Sequence, residues 1–325
     1  MQEGTSEEIS VLSTRPIRAL LIANPTAGGS YLHHEQQIAD TLSYLRTNGW
    51  QAELQLTQEA GNAGTFARAA VQEQIDAVIA IGGDGTINEV IQELAGSSTA
   101  LGVIPSGTVN VWAREVGIPL DFAGAREVLV HGQTRTIDLC QLNEHYFLLM
   151  AGIGIDGAVA HAVEQTPLKR LGVLGYLLIA TWYGFGHSPF QVMLELDGKT
   201  IKVHALQIII GNTQLYGGAL KYTWLAKCDD GLLDICVVLK RNIFGRIVVL
   251  LDFLLRREQR RQWIRYERGQ VVKIYTRYPE PIQVDGDYKG FTTSQQDEAT
   301  VFKVIPGALK VIVPQQLPSE LFTLR

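Results

Sequence analysis

The sequence has little cysteine, no apolar run of transmembrane length and no excess of basic residues, and each shortage excludes a class of protein. Its three cysteines are too few and too scattered for a disulfide framework or a zinc site, and so low a count suits a reducing cytoplasm. The most apolar run, Leu171–Phe185, has fifteen residues, fewer than the roughly 18 that span a bilayer. The net charge of −5 gives the molecule no general attraction to nucleic acid.

Signals for export and for two large classes of phosphoryl-transfer protein are also absent. The first fifteen residues are polar and acidic, without the basic and apolar regions of a signal peptide. The sequence has no Walker A motif (GxxxxGK followed by Ser or Thr) and neither the HRD nor the DFG motif of protein kinases. We therefore expect a soluble cytoplasmic protein that binds no nucleic acid.

Between residues 17 and 130 the sequence alternates between short apolar runs and segments with helical periodicity. Asp76–Ile81 is typical of a strand buried on both faces, and apolar residues at helical spacing follow it from Ile87 to Leu94. Repeated β-α-β units of this kind predict a parallel sheet covered by helices. The predicted strands are Ile17–Ala23, Gln51–Leu56, Asp76–Ile81 and Ala100–Ile104, and the predicted helices lie at about 38–48, 65–74, 87–94 and 109–116.

Beyond residue 135 the pattern changes to short strands joined by turns. The pair Asp197-Gly198 between two apolar segments is a strong hairpin signal. We therefore predict an α/β plus β fold, with a doubly wound domain over residues 16–135 and a mainly antiparallel β domain over residues 136–315, whose end could pack back on the first domain. The predicted helices are Leu171–Gly184 and Ile243–Arg257, and the predicted strands are Thr136–Asn143, His145–Ala151, Gln191–Leu196, Thr200–Ile210, Leu232–Leu239, Val271–Thr276, Pro281–Asp285, Thr300–Ile305 and Ala308–Val313.

The strongest local signal is the segment Gly82–Thr86, with the sequence GGDGT, between a predicted strand and a predicted helix. Its glycines let the backbone approach a ligand, and their amides form an anion site together with the helix N-terminus. Asp84 would repel a phosphate unless a divalent cation such as Mg²⁺ bridges the carboxylate and the phosphates. The alternative interpretation is a tight turn in which Asp84 caps the helix.

Two more glycine-containing loops follow predicted strands of the same sheet. Asn24–Gly29 follows the first strand and Pro105–Asn110 follows the fourth, and each loop alone is typical of a turn or a helix cap. Because ligands bind outside the carboxyl ends of parallel strands, the three loops would line a single crevice. The sequence therefore predicts a phosphate-binding crevice in the first half of the chain.

Taken in order, the motifs resemble those of the diacylglycerol kinase catalytic family, which includes bacterial lipid kinases, sphingosine kinases and ceramide kinases. The similarity extends from about Arg18 to Val313. GGDGT alone is shared with NAD kinases and phosphofructokinase relatives, whereas the ordered set is highly specific. The set comprises NPTAGG at 24–29, GGDGTINEV at 82–90, IPSGTVNVWAR at 104–114, GIGIDGAVA at 152–160, GNTQLYGG at 211–218, AKCDDGLLDI at 226–235 and VDGDY at 284–288.

The resemblance implies a nucleotide-binding domain like that of NAD kinase and phosphofructokinase, then a β-sandwich domain, with the active site in the cleft between them. It implies phosphorylation of a lipid hydroxyl by ATP and Mg²⁺, with diacylglycerol or a related glycerolipid as the first expectation. Asp230 and the backbone carbonyls of Lys227 and Leu232 would hold a structural Mg²⁺, although Asp229-Asp230-Gly231 is also typical of a simple turn. The residues implied to surround ATP are Asn24, Pro25, Thr26, Ala27, Gly28, Thr57, Gly83, Asp84, Gly85, Thr86, Ile87, Asn88, Glu89 and Thr108.

The motif VDGDY departs from the family, which usually has Asp-Gly-Glu where this sequence has Asp-Gly-Asp. The family glutamate is implied to take the proton from the lipid hydroxyl, and Asp287 stands in its place with one methylene fewer. A general base must come within about 2.6–3.2 Å of the group that it deprotonates. Asp285 is a second candidate for this role, while Asp84 would organise the metal. The alternative interpretation is a plain hairpin turn.

Two segments are candidates for membrane contact. Leu171–Phe185 could line a groove for acyl chains or form a buried helix. A cluster of arginines with Trp263 and Tyr266 suits an anionic lipid surface, but such a cluster is also typical of a solvated helix face. We expect a lipid substrate at the membrane surface and peripheral contact at the inner face, and whether the chain forms a homodimer is left open. The arginines are Arg256, Arg257, Arg260, Arg261, Arg265 and Arg268.

Two other functions compete with a lipid kinase. An NAD kinase relative would share GGDGT but would leave VDGDY and AKCDDGLLDI unexplained. A catalytically weak regulatory protein that binds nucleotide or lipid would explain the shortened Asp287. ATP-dependent phosphorylation of lipids in mixed micelles separates these functions, because an NAD kinase would ignore lipid and a regulatory protein would not turn over.

Overall fold

A computed structural model describes residues 15–24, 31–165, 186–218, 220–254, 263–293, 298–318 and 320–323. Within these ranges the chain forms seven helices and seventeen strands. Fifteen of these strands belong to one continuous sheet, and the other two pair with each other as a hairpin. No helix in the described ranges is long and apolar enough to cross a membrane.

The first half consists of four strands, each followed by at least one helix: β1 (Arg18–Ala23), α1 (Tyr31–Thr47), β2 (Gln51–Leu56), α2 (Asn62–Gln72), β3 (Ala77–Gly82), α3 (Asp84–Leu94), β4 (Ala100–Pro105), α4 (Val111–Val116) and α5 (Phe122–His131). The strands are parallel and run in the order β2-β1-β3-β4 across the sheet. Every residue of β3 and β4 is buried, which explains why both strands are almost wholly apolar. The predicted parallel sheet is therefore present, and α5 is a helix that the sequence pattern did not reveal.

The second half is mainly antiparallel and contains β5 (Gln133–Leu142), β6 (His145–Phe147), β7 (Met150–Gly154), α6 (Ile155–Gln165), β8 (Phe190–Leu196), β9 (Lys199–Gly211), β10 (Leu215–Tyr216), β11 (Leu220–Lys221), β12 (Leu233–Leu239), α7 (Ile243–Leu254), β13 (Ile264–Gly269), β14 (Val271–Thr276), β15 (Pro281–Val284), β16 (Asp287–Phe291) and β17 (Thr300–Val313). The predicted hairpin between β8 and β9 is confirmed, since Asp197 and Gly198 both have positive φ, at 47° and 86°.

Strand β17 joins the two halves of the molecule. It pairs antiparallel with β5 and β14, and its end pairs in parallel with β4 of the first half. The two strands predicted for this stretch are one strand, with an irregular register between Ile305 and Leu309. The sheet is therefore continuous, and the division near residue 135 stays a prediction about domains.

The strand predicted over His145–Ala151 is wrong as a single element. It is divided into β6 and β7, and Leu148 and Leu149 lie between them. The apolar run is continuous, so the sequence pattern contained no sign of the break. The backbone amides of these two residues bind a carboxylate from a distant loop instead of a neighbouring strand.

The predicted basic cluster is also revised where the structure describes it. Arg265 and Arg268 lie on β13, where Arg265 pairs with Glu267 and Arg268 pairs with Asp230 and Asp234. These two guanidinium groups are therefore committed to carboxylates and do not form an open patch for lipid headgroups. Arg256, Arg257, Arg260 and Arg261 lie outside the described residues, as does the predicted helix Leu171–Gly184.

Candidate active site

A cleft of about 540 Å³ opens at the carboxyl ends of the parallel strands, where ligands bind in sheets of this kind. Its volume lies within the usual range of small-molecule sites. The N-termini of α2 and α3 both reach it, and both helices begin with a glycine cap that has no side-chain hydrogen bond. The cleft is lined by Asn24, Thr57, Gln58, Glu59, Ala60, Ala63, Gly83, Gly85, Thr86, Glu89, Gly107 and Thr108.

Two of the predicted glycine loops touch each other on one side of this cleft. A Cβ atom on Gly107 would lie 2.5 Å from the Cα of Gly83 and 2.9 Å from Oδ1 of Asn110. Asn110 holds the second loop in shape, because its side chain accepts from the Gly107 amide at 2.9 Å and donates to the Gly107 carbonyl at 2.8 Å. Only glycine fits at position 107 without moving backbone atoms, so the close contact of the loops depends on it.

The predicted nucleotide residues divide into three groups. Seven of them line the cleft: Asn24, Thr57, Gly83, Gly85, Thr86, Glu89 and Thr108. Three more lie outside the lining: Asp84, which is half-buried, Asn88, which is buried, and Ile87, which is buried in the hydrophobic core. Pro25, Thr26, Ala27 and Gly28 lie outside the described residues.

Five lining residues are not among those that the resemblance implied for ATP, although one of them, Gly107, lies in a loop that the sequence placed at the crevice. Gln58, Glu59, Ala60 and Ala63 follow β2, and Gly107 belongs to the loop after β4. The loop after β2 has no glycine-rich motif, so only its position at the carboxyl end of β2 could have indicated that it lines the cleft. Glu89 of α3 contacts the start of α2 just after this loop, because its carboxylate accepts from the Ala63 amide at 3.1 Å.

Asp84 is half-buried and its carboxylate bridges two loops of the cleft. Its two oxygens accept from the amides of Val111 and Trp112, at 3.1 and 3.3 Å. Burial raises the pKa of this carboxyl, and the two amides oppose the rise. The alternative interpretation of Asp84 as a helix cap therefore holds in part, although the capped helix is α4 and not α3.

The VDGDY turn brings a second carboxylate to the same region. Asp285 and Gly286 both have positive φ, at 49° and 92°, which is the geometry of a type I′ turn between β15 and β16. The Asp285 carboxylate accepts from the amides of Leu148, Leu149 and Met150 at 2.9–3.0 Å. These bonds account for the break between β6 and β7.

The same carboxylate is linked to the helix that begins at the cleft. Asn88 of α3 donates its side-chain amide to Asp285 at 3.4 Å. Burial and, to a smaller extent, the negative charge of Asp84 raise the pKa of Asp285 to about 7, although the three backbone amides oppose the rise. The two acids are therefore close enough to affect each other's ionisation.

Asp84 and Asp285 offer the oxygen chemistry that a divalent cation takes, although the oxygens of both carboxylates already accept from backbone amides. Mg²⁺ takes oxygen ligands and in phosphoryl-transfer sites usually needs only one or two carboxylates, with phosphate oxygens completing its shell. The described residues contain no group of three or more His, Cys, Asp or Glu side chains arranged to hold a metal by themselves. A cation here would therefore depend on the bound nucleotide as well as on Asp84 and Asp285.

Asp287 lies one residue beyond the turn and differs sharply from Asp285. It is exposed at the start of β16, and no hydrogen bond or ion pair in the described part of the chain reaches its carboxylate. Its negative charge acts on His145. The pKa of His145 lies below its ordinary value, because burial and Lys289 lower it more than Asp287 raises it. Asp287 is therefore free to meet a ligand, while Asp285 anchors the turn.

A buried hydrogen-bond chain supports the turn from behind. Gln283 accepts from the Gly286 amide at 2.7 Å and donates to the buried carboxylate of Asp156 at 2.6 Å. Asp156 also accepts from the hydroxyl of Tyr216. The glycines of the GIGIDGAVA motif make this possible, because a Cβ atom on Gly152 would overlap the Asp156 carboxylate.

The predicted structural metal residues lie in the second half, around a carboxylate that already has a cationic partner. Asp230 pairs with Arg268 and accepts from the Leu232 amide at 3.1 Å, while Lys227 donates to the Phe322 carbonyl at 3.4 Å. A Mg²⁺ ion at Asp230 would have to displace the guanidinium, so this donor set fits the ion poorly in this arrangement. The assignment of Lys227, Asp230 and Leu232 to a metal stays a prediction.

Family comparisons agree with this architecture. Residues 18–142 match the family described as the diacylglycerol kinase catalytic domain, and residues 150–313 match the YegS C-terminal NAD kinase beta sandwich-like domain. The chain is 30% identical to a diacylglycerol kinase of Bacillus subtilis over 94% of its own length and 99% of that protein's. It is 32% identical to a diacylglycerol kinase of Staphylococcus aureus over 84% of its own length and 87% of that protein's.

Solved structures share the fold. A crystal structure of a diacylglycerol kinase from Bacillus anthracis superposes with a TM-score of 0.72 at 23% identity, covering 91% of this chain and 97% of that one. The class of protein is thus an α/β domain followed by a β-sandwich-like domain, as predicted. The chain belongs to the diacylglycerol kinase catalytic domain family, which is a family of lipid kinases. The predicted family and enzyme class are confirmed.

Proposed function

We propose that this protein transfers the γ-phosphoryl group of ATP to the hydroxyl of a membrane lipid, diacylglycerol or a related glycerolipid, in a Mg²⁺-dependent reaction. One observation carries the proposal. Helix α3 begins at the nucleotide cleft and, through Asn88, contacts the turn that presents Asp285 and Asp287. A phosphate group in the cleft would therefore lie at the start of α3, and an acceptor hydroxyl at the turn would lie beside the next turn of the same helix.

Each part of the site has a role in this reaction. Backbone amides of the two glycine loops and the N-termini of α2 and α3 would bind the phosphates. A Mg²⁺ ion held by Asp84 and Asp285 would neutralise charge on the transferring group. Asp285 keeps the turn in position through the three amides that it accepts.

Asp287 would act as the general base. A bond forms between the lipid hydroxyl oxygen and the γ-phosphorus, the bond from that phosphorus to the β–γ bridging oxygen breaks, and the hydroxyl proton passes to Asp287. The exposure of Asp287 supports this role, because its carboxylate has no competing partner in the described residues. Family members usually have glutamate here, which is longer by one methylene. The lipid hydroxyl must therefore come closer to the backbone at Asp287, or transfer its proton through one water.

The test is the transfer of labelled γ-phosphate from Mg-ATP to diacylglycerol, phosphatidylglycerol, a sphingoid base and a polyprenol in mixed micelles. We expect a glycerolipid to be labelled and Asp287→Ala to lower the rate by about 10²–10⁴-fold, the usual contribution of a general base. Asp287→Glu is the matched control and should retain activity. ATP bound without labelling of any lipid would favour a regulatory protein, and labelling of NAD alone would favour an NAD kinase.

A further inference from the structure

Helix α7 carries an exposed apolar stripe in a part of the molecule that the reaction does not use. The stripe consists of three residues at helical spacing on one face: Phe244, which is 74% exposed, Ile247, which is 39% exposed, and Leu251, which is 48% exposed. Phe244 is the most exposed large hydrophobic residue in the described part of the chain. The opposite face packs inward, where Val249 and Asp252 are buried. An apolar helix face normally points to the core, so this one indicates an external partner.

The charge of the surrounding sequence indicates what that partner is. Residues 240–254, which contain the helix and the turn before it, have three Lys or Arg and one Asp, so this segment has a net charge of +2 in a chain of −5. The exposed Lys240 stands at the N-terminal end of the stripe. Basic charge beside an exposed apolar helix face is the combination that binds anionic lipid surfaces.

The stripe also lies close to the candidate active site. Helix α7 packs against β11, which forms a hairpin with β10. At Gly218 this hairpin touches α4 and the second glycine loop, since a Cβ atom there would lie 3.2 Å from Arg114 of α4 and 3.5 Å from Val109 of the loop. On its other strand, Tyr216 donates to Asp156 behind the VDGDY turn. One hairpin therefore separates the stripe from the site.

We propose that the exposed face of α7 docks on an anionic membrane surface, with Phe244, Ile247 and Leu251 entering the layer between headgroups and acyl chains. The proposal rests on the proposed function in one respect, since a kinase acting on a bilayer lipid must hold its cleft at the membrane. Docking would place the cleft about one hairpin from the headgroups and would let a lipid reach the turn while its chains stay in the bilayer.

The test is co-sedimentation with vesicles in the absence of ATP, so that failure of docking and failure of catalysis remain distinguishable. We expect binding to phosphatidylcholine vesicles that contain phosphatidylglycerol, weaker binding to pure phosphatidylcholine, and weakening by salt. The double variant Phe244→Ser with Leu251→Ser should bind at least about tenfold more weakly. Its activity on lipid in detergent micelles should stay at the wild-type level, which also shows that it folds.

The matched control is Ile17→Ser with Leu120→Ser, which removes two exposed apolar side chains from the first half of the chain. This variant should bind vesicles as the wild type does. Equal vesicle binding by both double variants would overturn the proposal, as would a wild type that ignores anionic vesicles. A wild type that ignores vesicles but is dimeric in solution, and becomes monomeric in the Phe244→Ser and Leu251→Ser variant, would assign the stripe to a second copy of the chain instead.

Discussion

At the scale of single residues, Asp285 combines a left-handed backbone with a carboxylate that three consecutive amides hold. Its neighbour Asp287 has the same chemistry but stands exposed at the start of a strand. Asp-Gly in a hairpin loop predicts the turn, but it does not predict that the first aspartate would face inward. The two acids therefore have different roles because of their surroundings and not because of their side chains.

The raised pKa of Asp285 predicts how stability depends on pH in the absence of Mg²⁺. Its value is 3.8 in an ordinary setting and about 7 in the fold, so the folded chain binds more protons than the unfolded chain between these values. Stability must therefore fall as pH rises across this window and level off above it. We expect Asp285→Asn, which cannot ionise, to show a smaller fall in melting temperature between about pH 5 and about pH 8.

Asp287→Asn is the control for this measurement. It removes a carboxylate from the same turn, but one that is exposed and unpaired in the described residues, so it should retain the wild-type pH dependence. If the melting temperatures of Asp285→Asn and the wild type fall equally between about pH 5 and about pH 8, burial of Asp285 is not the source of the pH dependence.

At the scale of elements, the GIGIDGAVA motif forms the end of β7 and the start of α6, and its role is to support another element. Its Asp156 binds Gln283 of β15, and Gln283 binds the amide of Gly286 in the VDGDY turn. Helix α6 approaches β15 closely, since a Cβ atom on Gly157 would overlap the carbonyl of Pro281. The glycines of the motif thus serve packing and turn geometry instead of phosphate binding.

This hydrogen-bond chain predicts that Gln283 is a positioning residue. Gln283→Leu keeps the approximate volume but removes both bonds, so the turn loses its support and the Asp156 carboxylate loses a partner. We expect a fall of about 10²-fold in kcat from the misplaced turn, with the KM for ATP unchanged. Stability should fall by about 1–3 kcal/mol, because a buried polar group is left unsatisfied.

Gln191→Leu provides the comparison, since Gln191 is exposed on β8 and has a side-chain bond to His204. This variant should match the wild type in kcat and in stability. An unchanged kcat in Gln283→Leu would show that the turn holds its place without this chain, and a change confined to the KM for ATP would move the role of Gln283 to the nucleotide cleft.

At the scale of the whole molecule, the two halves share more than a linker. Strand β17 pairs with β14 and β5 and ends beside β4. Gln92 of α3 exchanges two hydrogen bonds with the backbone of Tyr146 on β6, and the buried Glu115 of α4 accepts from the amides of Gln214 and Leu215. Secondary elements of each half are therefore fixed by groups of the other.

These connections predict a single cooperative unfolding transition for the chain. Neither half can unfold without breaking the pairing of β17 and exposing Glu115 or Gln92, so partial unfolding should be costly. Differential scanning calorimetry should give one transition whose calorimetric and van't Hoff enthalpies agree. If Mg-ATP binds the folded cleft as we propose, it should shift this transition upward as one peak. Two separate transitions, of which only one moves with Mg-ATP, would show that the halves are independent.

The sequence by itself determined the family, the order of strands and helices in the first half apart from α5, and the glycine loops that line the cleft, because these depend on local periodicity and on glycine at fixed positions. Only the tertiary structure decided the break between β6 and β7, the pairing of Arg268 with Asp230 and Asp234, and the inward turn of Asp285. In each case a charge or a backbone amide finds its partner from a distant part of the chain, and no local pattern records that contact.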